Sequence, residues 1–181
     1  MTGFPTRLRA PLALVALLLC AATSARGEPR LEYQLQAAYV SKFLRFVEWP
    51  AASRPGDTVR VGAAGNAEFL EAMAVLDGYA LGDTRIELVS AAEASLSSLH
   101  VMVLGPETPR ALALLEAARE LPILTVSEAD DWCDSGGIIQ FVVVESAMRF
   151  EVNVAAAERV GLEVSSRLLR LAVKVRRSED R

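Results

Sequence analysis

The chain has 181 residues, 52% of them apolar and 23% charged, enough for one hydrophobic core and too apolar for a disordered segment. One histidine and two cysteines exclude a histidine-rich metal centre, an all-cysteine zinc site and a disulfide framework. The formal charge is −4 with acids and bases interleaved, which argues against nucleic acid, because phosphates need a basic face.

Residues 1–27 read as an address rather than as structure. Arg7 and Arg9 precede an apolar run over 10–22, and small residues follow in Thr23-Ser24-Ala25 and Ala25-Arg26-Gly27. A basic start, a short apolar centre and a small-residue exit are the parts of a cleavable secretory signal. The run is shorter than the ~20 residues that span a bilayer, so no stable membrane insertion is expected once it is cut. Cleavage would remove Arg7, Arg9 and Arg26, leaving 154 residues with 16 bases against 23 acids, a net charge of −7. Only Cys133 would remain. It is either buried and inert or paired between chains, which leaves a homodimer open.

Helices and strands then alternate. Residues 31–48 predict an amphipathic helix with Leu35, Tyr39, Phe43 and Phe46 on one stripe, ended by Pro50 after Trp49. TVRVGAAG (58–65) predicts a strand, and Asn66 caps a helix carrying Phe69, Leu70, Met73 and Leu76 on one face. TRIELVS (84–90) predicts a strand that covers Ile86 and Leu88 better than Arg85 and Glu87. LHVMVLG (99–105) and PILTVS (122–127) predict buried central strands. Between them, 106–121 predicts a helix with Leu112, Leu115 and Ala118 as its core face. GGIIQFVVVE and AMRFEVNV, parted by Ser146, predict a hairpin. Asn153 then caps a short helix that stops at Gly161, and Ser165-Ser166 opens a terminal helix with Leu168, Leu169, Leu171 and Ala172. Residues 176–181 read as a polar tail, so the folded unit is 28–175. The expected fold is a single layered α/β domain, a mostly parallel sheet flanked by helices with an antiparallel C-terminal hairpin.

No enzyme signature emerges. A catalytic triad must use His100, which opens a buried strand and suits a structural role better. Glu128, Asp130, Asp131 and Asp134 lack the spacing of a calcium loop and read as solvated. Gly62-Ala63-Ala64-Gly65 stands between strand and helix without a nucleotide-binding spacing, so it reads as a close-packed turn. No metal, cofactor or catalytic residue is expected. Two groups remain as candidates for partner or ligand binding. Asp134, Gly136, Gly137, Arg149 and Asn153 surround the Gly-Gly turn and hairpin, and Phe43, Phe46 and Trp49 form an aromatic cluster at the end of the first helix. For both groups a purely architectural role is the alternative.

The stretch from ILTVS through GGIIQF to RFEVNVAAAERVGLEVSSRLLRLA resembles the YfiR/HmsC family of periplasmic regulators, as does AAYVSKFLRFVEWP with its Phe-Val-x-Trp-Pro ending. The resemblance covers about 31–175. It implies a non-enzymatic periplasmic protein that represses an inner-membrane diguanylate cyclase through the cyclase's periplasmic region, lowering cyclic di-GMP and biofilm formation. Family members can carry structural disulfides, for which the mature chain lacks the cysteines. A periplasmic receptor holding a small solute at the strand ends is the alternative function.

Overall fold

The computed structural model describes residues 30–177, so the predicted signal segment lies outside the described residues. Helix α1 (Leu31–Phe43) leads into a two-residue strand β1 (Val47–Glu48). β2 (Thr58–Ala64) and α2 (Ala67–Met73) follow, then an antiparallel pair β3 (Ala80–Leu81) and β4 (Thr84–Ser90). β5 (Val101–Leu104), α3 (Ala111–Ala118) and β6 (Leu124–Ser127) make a crossover unit. β7 (Ile139–Val144) and β8 (Ala147–Asn153) form the hairpin, and α4 (Val154–Arg159), β9 (Glu163–Val164), α5 (Ser166–Leu169) and β10 (Lys174–Arg176) complete the chain.

One eight-stranded sheet runs β10-β8-β7-β6-β5-β2-β4-β3. The five neighbours β7, β6, β5, β2 and β4 are all parallel. Taken in chain order they are arranged 2-1-3-4-5, the flavodoxin-like doubly wound pattern, which reverses between β2 and β5. β8 turns the sheet antiparallel and β10 adds parallel to β8. The expected α/β class, mostly parallel with an antiparallel hairpin, is the observed one.

Alternation along each strand sends side chains to two cores. Val61, Val103, Val126, Phe141 and Phe150 face α1 and α2. Met102 and Leu104 face α3, with Leu115, Ala118 and Trp132. β5 is buried along its whole length, as its unbroken apolar run requires. The hairpin turn Glu145-Ser146 has positive φ at both residues, the twist a two-residue connection needs.

Three expectations need correction. α1 buries Tyr33, Gln36, Ala37, Val40 and Phe43, and Leu35 is 41% exposed. The buried stripe is therefore rotated from the one that counting large apolar residues selects, because Tyr33 stacks edge-on with Phe69 and small Ala37 lets the helix approach. Leu112 is 61% exposed, since α3 begins only at Ala111 and rests on Leu115 and Ala118. The terminal helix ends at Leu169, after which the chain extends and pairs with the hairpin as β10. Arg176, placed by the sequence at the head of a polar tail, belongs to that strand.

Candidate functional site

The Gly-Gly turn lies in the loop between β6 and β7, on the α3 face. Thr125 Oγ1 accepts from the Ile138 N–H at 3.0 Å, and Gln140 Oε1 accepts from the Cys133 N–H at 3.1 Å. Asn153 does two things. Its Oδ1 accepts from the Ala156 N–H, capping α4, while its Nδ2 donates to the Cys133 carbonyl at 2.8 Å. Gly136 sits at φ +102 and Gly137 lies against the Trp132 indole. Asp134 is held by Arg176, whose Nε donates at 2.9 Å and whose Nη1 meets Glu151. Asp134 and Asn153 thus tie the loop to β10 and to the hairpin, and Gly136 and Gly137 shape the loop itself. Arg149 is not among them. It is exposed, four residues before Asn153, about 13 Å away at ~3.3 Å per residue of strand.

Cys133 is buried, and burial pushes its thiol up to about 12 despite the nearby Arg176 guanidinium. It stays protonated and is closed to a partner's thiol in this fold. Two of the three aromatic candidates are buried. Phe43 is 1% exposed, stacked on Phe141 and edge-on to Phe150, and Trp49 is buried with its indole N–H donating to the His100 carbonyl at 3.3 Å. Phe46 is half-buried against the same core. The Phe-Val-x-Trp-Pro ending serves long-range pairing: Val47 faces Val164 across the β1–β9 ribbon, and Ser165 N–H donates to the Phe46 carbonyl. His100 Nδ1 accepts from the Arg60 N–H at 3.0 Å. Burial, with the Arg60 charge second, holds that imidazole below its ordinary pKa and therefore neutral.

In doubly wound sheets ligands settle at the carboxyl ends of the strands, at the point where strand order reverses. Here that point is filled. The Phe69 ring lies directly over Gly65 and Gly105, so close that a Cβ on either would fall about 2.5 Å from it. Thr108 Oγ1 ties the same loops together through the Ala64 and Gly105 carbonyls. The GAAG run is close-packed but is not a turn: Gly62, Ala63 and Ala64 end β2, paired with β4 and β5, and only Gly65 bends towards α2.

The open space is displaced along the same edge. A groove of about 610 Å³ runs between the first turns of α1 and the hairpin, lined by Glu32, Gln36, Glu128, Phe141, Val143 and Met148 among others. Glu128 is the first residue beyond β6. Its strand end is fixed by buried Ser127, whose hydroxyl donates to the Leu104 carbonyl and accepts from the Ala129 N–H. Gln36 Nε2 donates to Glu128 across the groove. Burial raises the Glu128 carboxyl above its usual 4.5, opposed by the Gln36 bond, with Glu32 adding repulsion and Arg30 attraction. In the sequence Glu128 reads as solvated, and nothing there selects Gln36. The usable signal was position, since the residue just past a buried parallel strand is where binding groups gather.

The raised pKa makes Glu128 a cost to folding at neutral pH, because the folded state holds its proton more tightly than the unfolded chain. That cost is present above the folded pKa and vanishes as pH falls below 4.5. Glu128→Gln keeps an acceptor for Gln36, so the variant is expected to be more stable than wild type at pH 7, with the difference closing towards pH 4. Urea midpoints across that range measure it.

The YfiR/HmsC-like family profile matches residues 33–173, nearly the whole described fold. The chain belongs to that family. No curated protein matches the chain significantly. Among solved structures it is similar to a conserved domain protein from Vibrio cholerae, at 12% identity and a TM-score of 0.54. The match covers 80% of this chain and 60% of that one, and it supports the fold alone. Among the described residues no helix is long and apolar enough to cross a membrane, and no group of three or more potential ligands is placed to hold a metal ion.

Proposed function

We propose that this protein represses an inner-membrane diguanylate cyclase by binding the enzyme's periplasmic sensor region, lowering cyclic di-GMP and biofilm formation. The observation that carries the reading is the YfiR/HmsC-like match over residues 33–173, which takes in both cores and the hairpin. A regulator of this kind needs no chemistry of its own. It needs only to bind one conformation of the enzyme more tightly than another, and a preference of about 1.4 kcal/mol shifts the balance tenfold. The Phe69 ring over Gly65 and Gly105 occupies the reversal point where this topology usually holds a small molecule, which counts against a solute receptor at that point.

The test is cellular cyclic di-GMP after deletion of the gene. The level is expected to rise, and only the exported form should restore it, a version lacking residues 2–27 leaving it high. An unchanged level in cells expressing the cyclase would overturn repression. Restoration by the unexported version would overturn the periplasmic site of action.

A further inference from the structure

The groove at the strand ends is chemically one-sided. Phe141 is buried at its floor, and Val143, two residues on along the same face of β7, is 65% exposed beside half-buried Met148. Its other wall carries three carboxylates, Glu32, Glu128 and Asp130. The one guanidinium at the rim, Arg30, is engaged by Glu68 of α2 at 3.2 Å. Glu128 itself meets only a neutral amide from Gln36, so a half-desolvated negative charge stands without a cation in contact. A carboxylate in that position gains most from a partner that brings the missing positive charge.

We propose that this groove receives a cationic, apolar-bearing segment of a partner protein. A Lys or Arg of that segment meets Glu128 and Asp130, and an aliphatic neighbour packs on Phe141, Val143 and Met148. The inference rests on the regulatory reading above and names the chemistry of its partner. The groove's volume lies within the ~300–1,000 Å³ of ordinary binding clefts, and its open side suits a side chain carried on a larger surface. The mature chain's net charge of −7 steers such a segment towards it.

A photo-crosslinking residue placed at Val143 of the exported full-length protein, in its own cells, tests this. The control places it at Leu112, exposed on α3 across the sheet. The Val143 position is expected to capture a periplasmic peptide with a Lys or Arg close to the captured residue. Glu128→Gln with Asp130→Asn should cut that yield about tenfold without lowering the protein's level. Capture only from Leu112, no capture from either position, capture of a second copy of this chain, capture of a segment without bases, or a yield indifferent to the two substitutions would each overturn the groove. The two readings fail separately. A cyclase captured through Leu112 removes the groove and leaves repression standing. A cationic segment of some other membrane protein, captured at Val143, keeps the groove and removes the cyclase.

Discussion

Replacing Gly137 with alanine is expected to be the most damaging single-methyl change in the chain. A Cβ there would lie 2.2 Å from Trp132 Nε1 and 2.3 Å from Cδ1, where no relaxed contact is possible. Trp132 cannot retreat, because it is fully buried among Met102, Leu104 and Leu115. Overpacking of this kind typically costs 1–3 kcal/mol, and a rigid buried ring puts the expected loss at about 3 kcal/mol, or roughly 10 °C in Tm. The neighbour supplies the control. Gly136 has nothing within 4 Å of its missing Cβ but sits at φ +102, so Gly136→Ala should cost only about 1 kcal/mol in backbone strain. Trp132→Phe should recover part of the Gly137→Ala loss, since the indole N–H has no hydrogen-bond partner among the described residues and the smaller ring vacates the contested space. Equal losses for the two alanines, measured by thermal and urea unfolding, would show that the ring contact is not what the glycine secures.

Arg176→Ala is expected to destabilise the fold by about 2 kcal/mol. The Arg176 side chain is 14% exposed and its guanidinium joins Asp134 in the β6–β7 loop to Glu151 on β8, so its removal leaves the mostly covered Glu151 carboxylate without its cation. Asp134 is more than half exposed and screened by water, so most of the loss is assigned to Glu151. Arg176→Lys restores the charge without the two-pronged geometry and should recover about half. Lys174→Ala, on the same short strand but exposed, should fall within about 0.5 kcal/mol of wild type. If the Arg176 and Lys174 variants unfold alike, the last strand is held by its backbone pairing alone.

That strand marks where sequence reasoning stopped working. The buried strands, the hairpin and the caps at Asn66 and Asn153 were legible because each is set by local pattern: an apolar run, a two-residue alternation, a side chain that accepts from an N–H three residues on. The stretch after Ser165 offers leucines at helical spacing, but its end extends because β8 presents an open edge, a fact that lives more than twenty residues away in the chain. Likewise the α1 stripe depends on Phe69 and on Phe141, and neither lies within reach of a periodicity count. Of the proposed site residues, Asn153 ties a loop to the hairpin and the two glycines shape that loop, which is an architectural role. Glu128 and Gln36 are 92 residues apart in sequence, so only the finished sheet brings them together. Phe43 and Trp49 stand out in the sequence as large aromatics near a helix end, and the same bulk draws them into the core.

The aromatic plug at the sheet's reversal point has a practical reach beyond this protein's own role. Cutting Phe69 back to alanine would leave a dry, ring-shaped vacancy between two glycines, of the kind that takes up benzene-sized molecules. The fold's stability would then follow the concentration of whatever small aromatic refilled it. Its stability would acquire a dial, set by a solute the experimenter chooses.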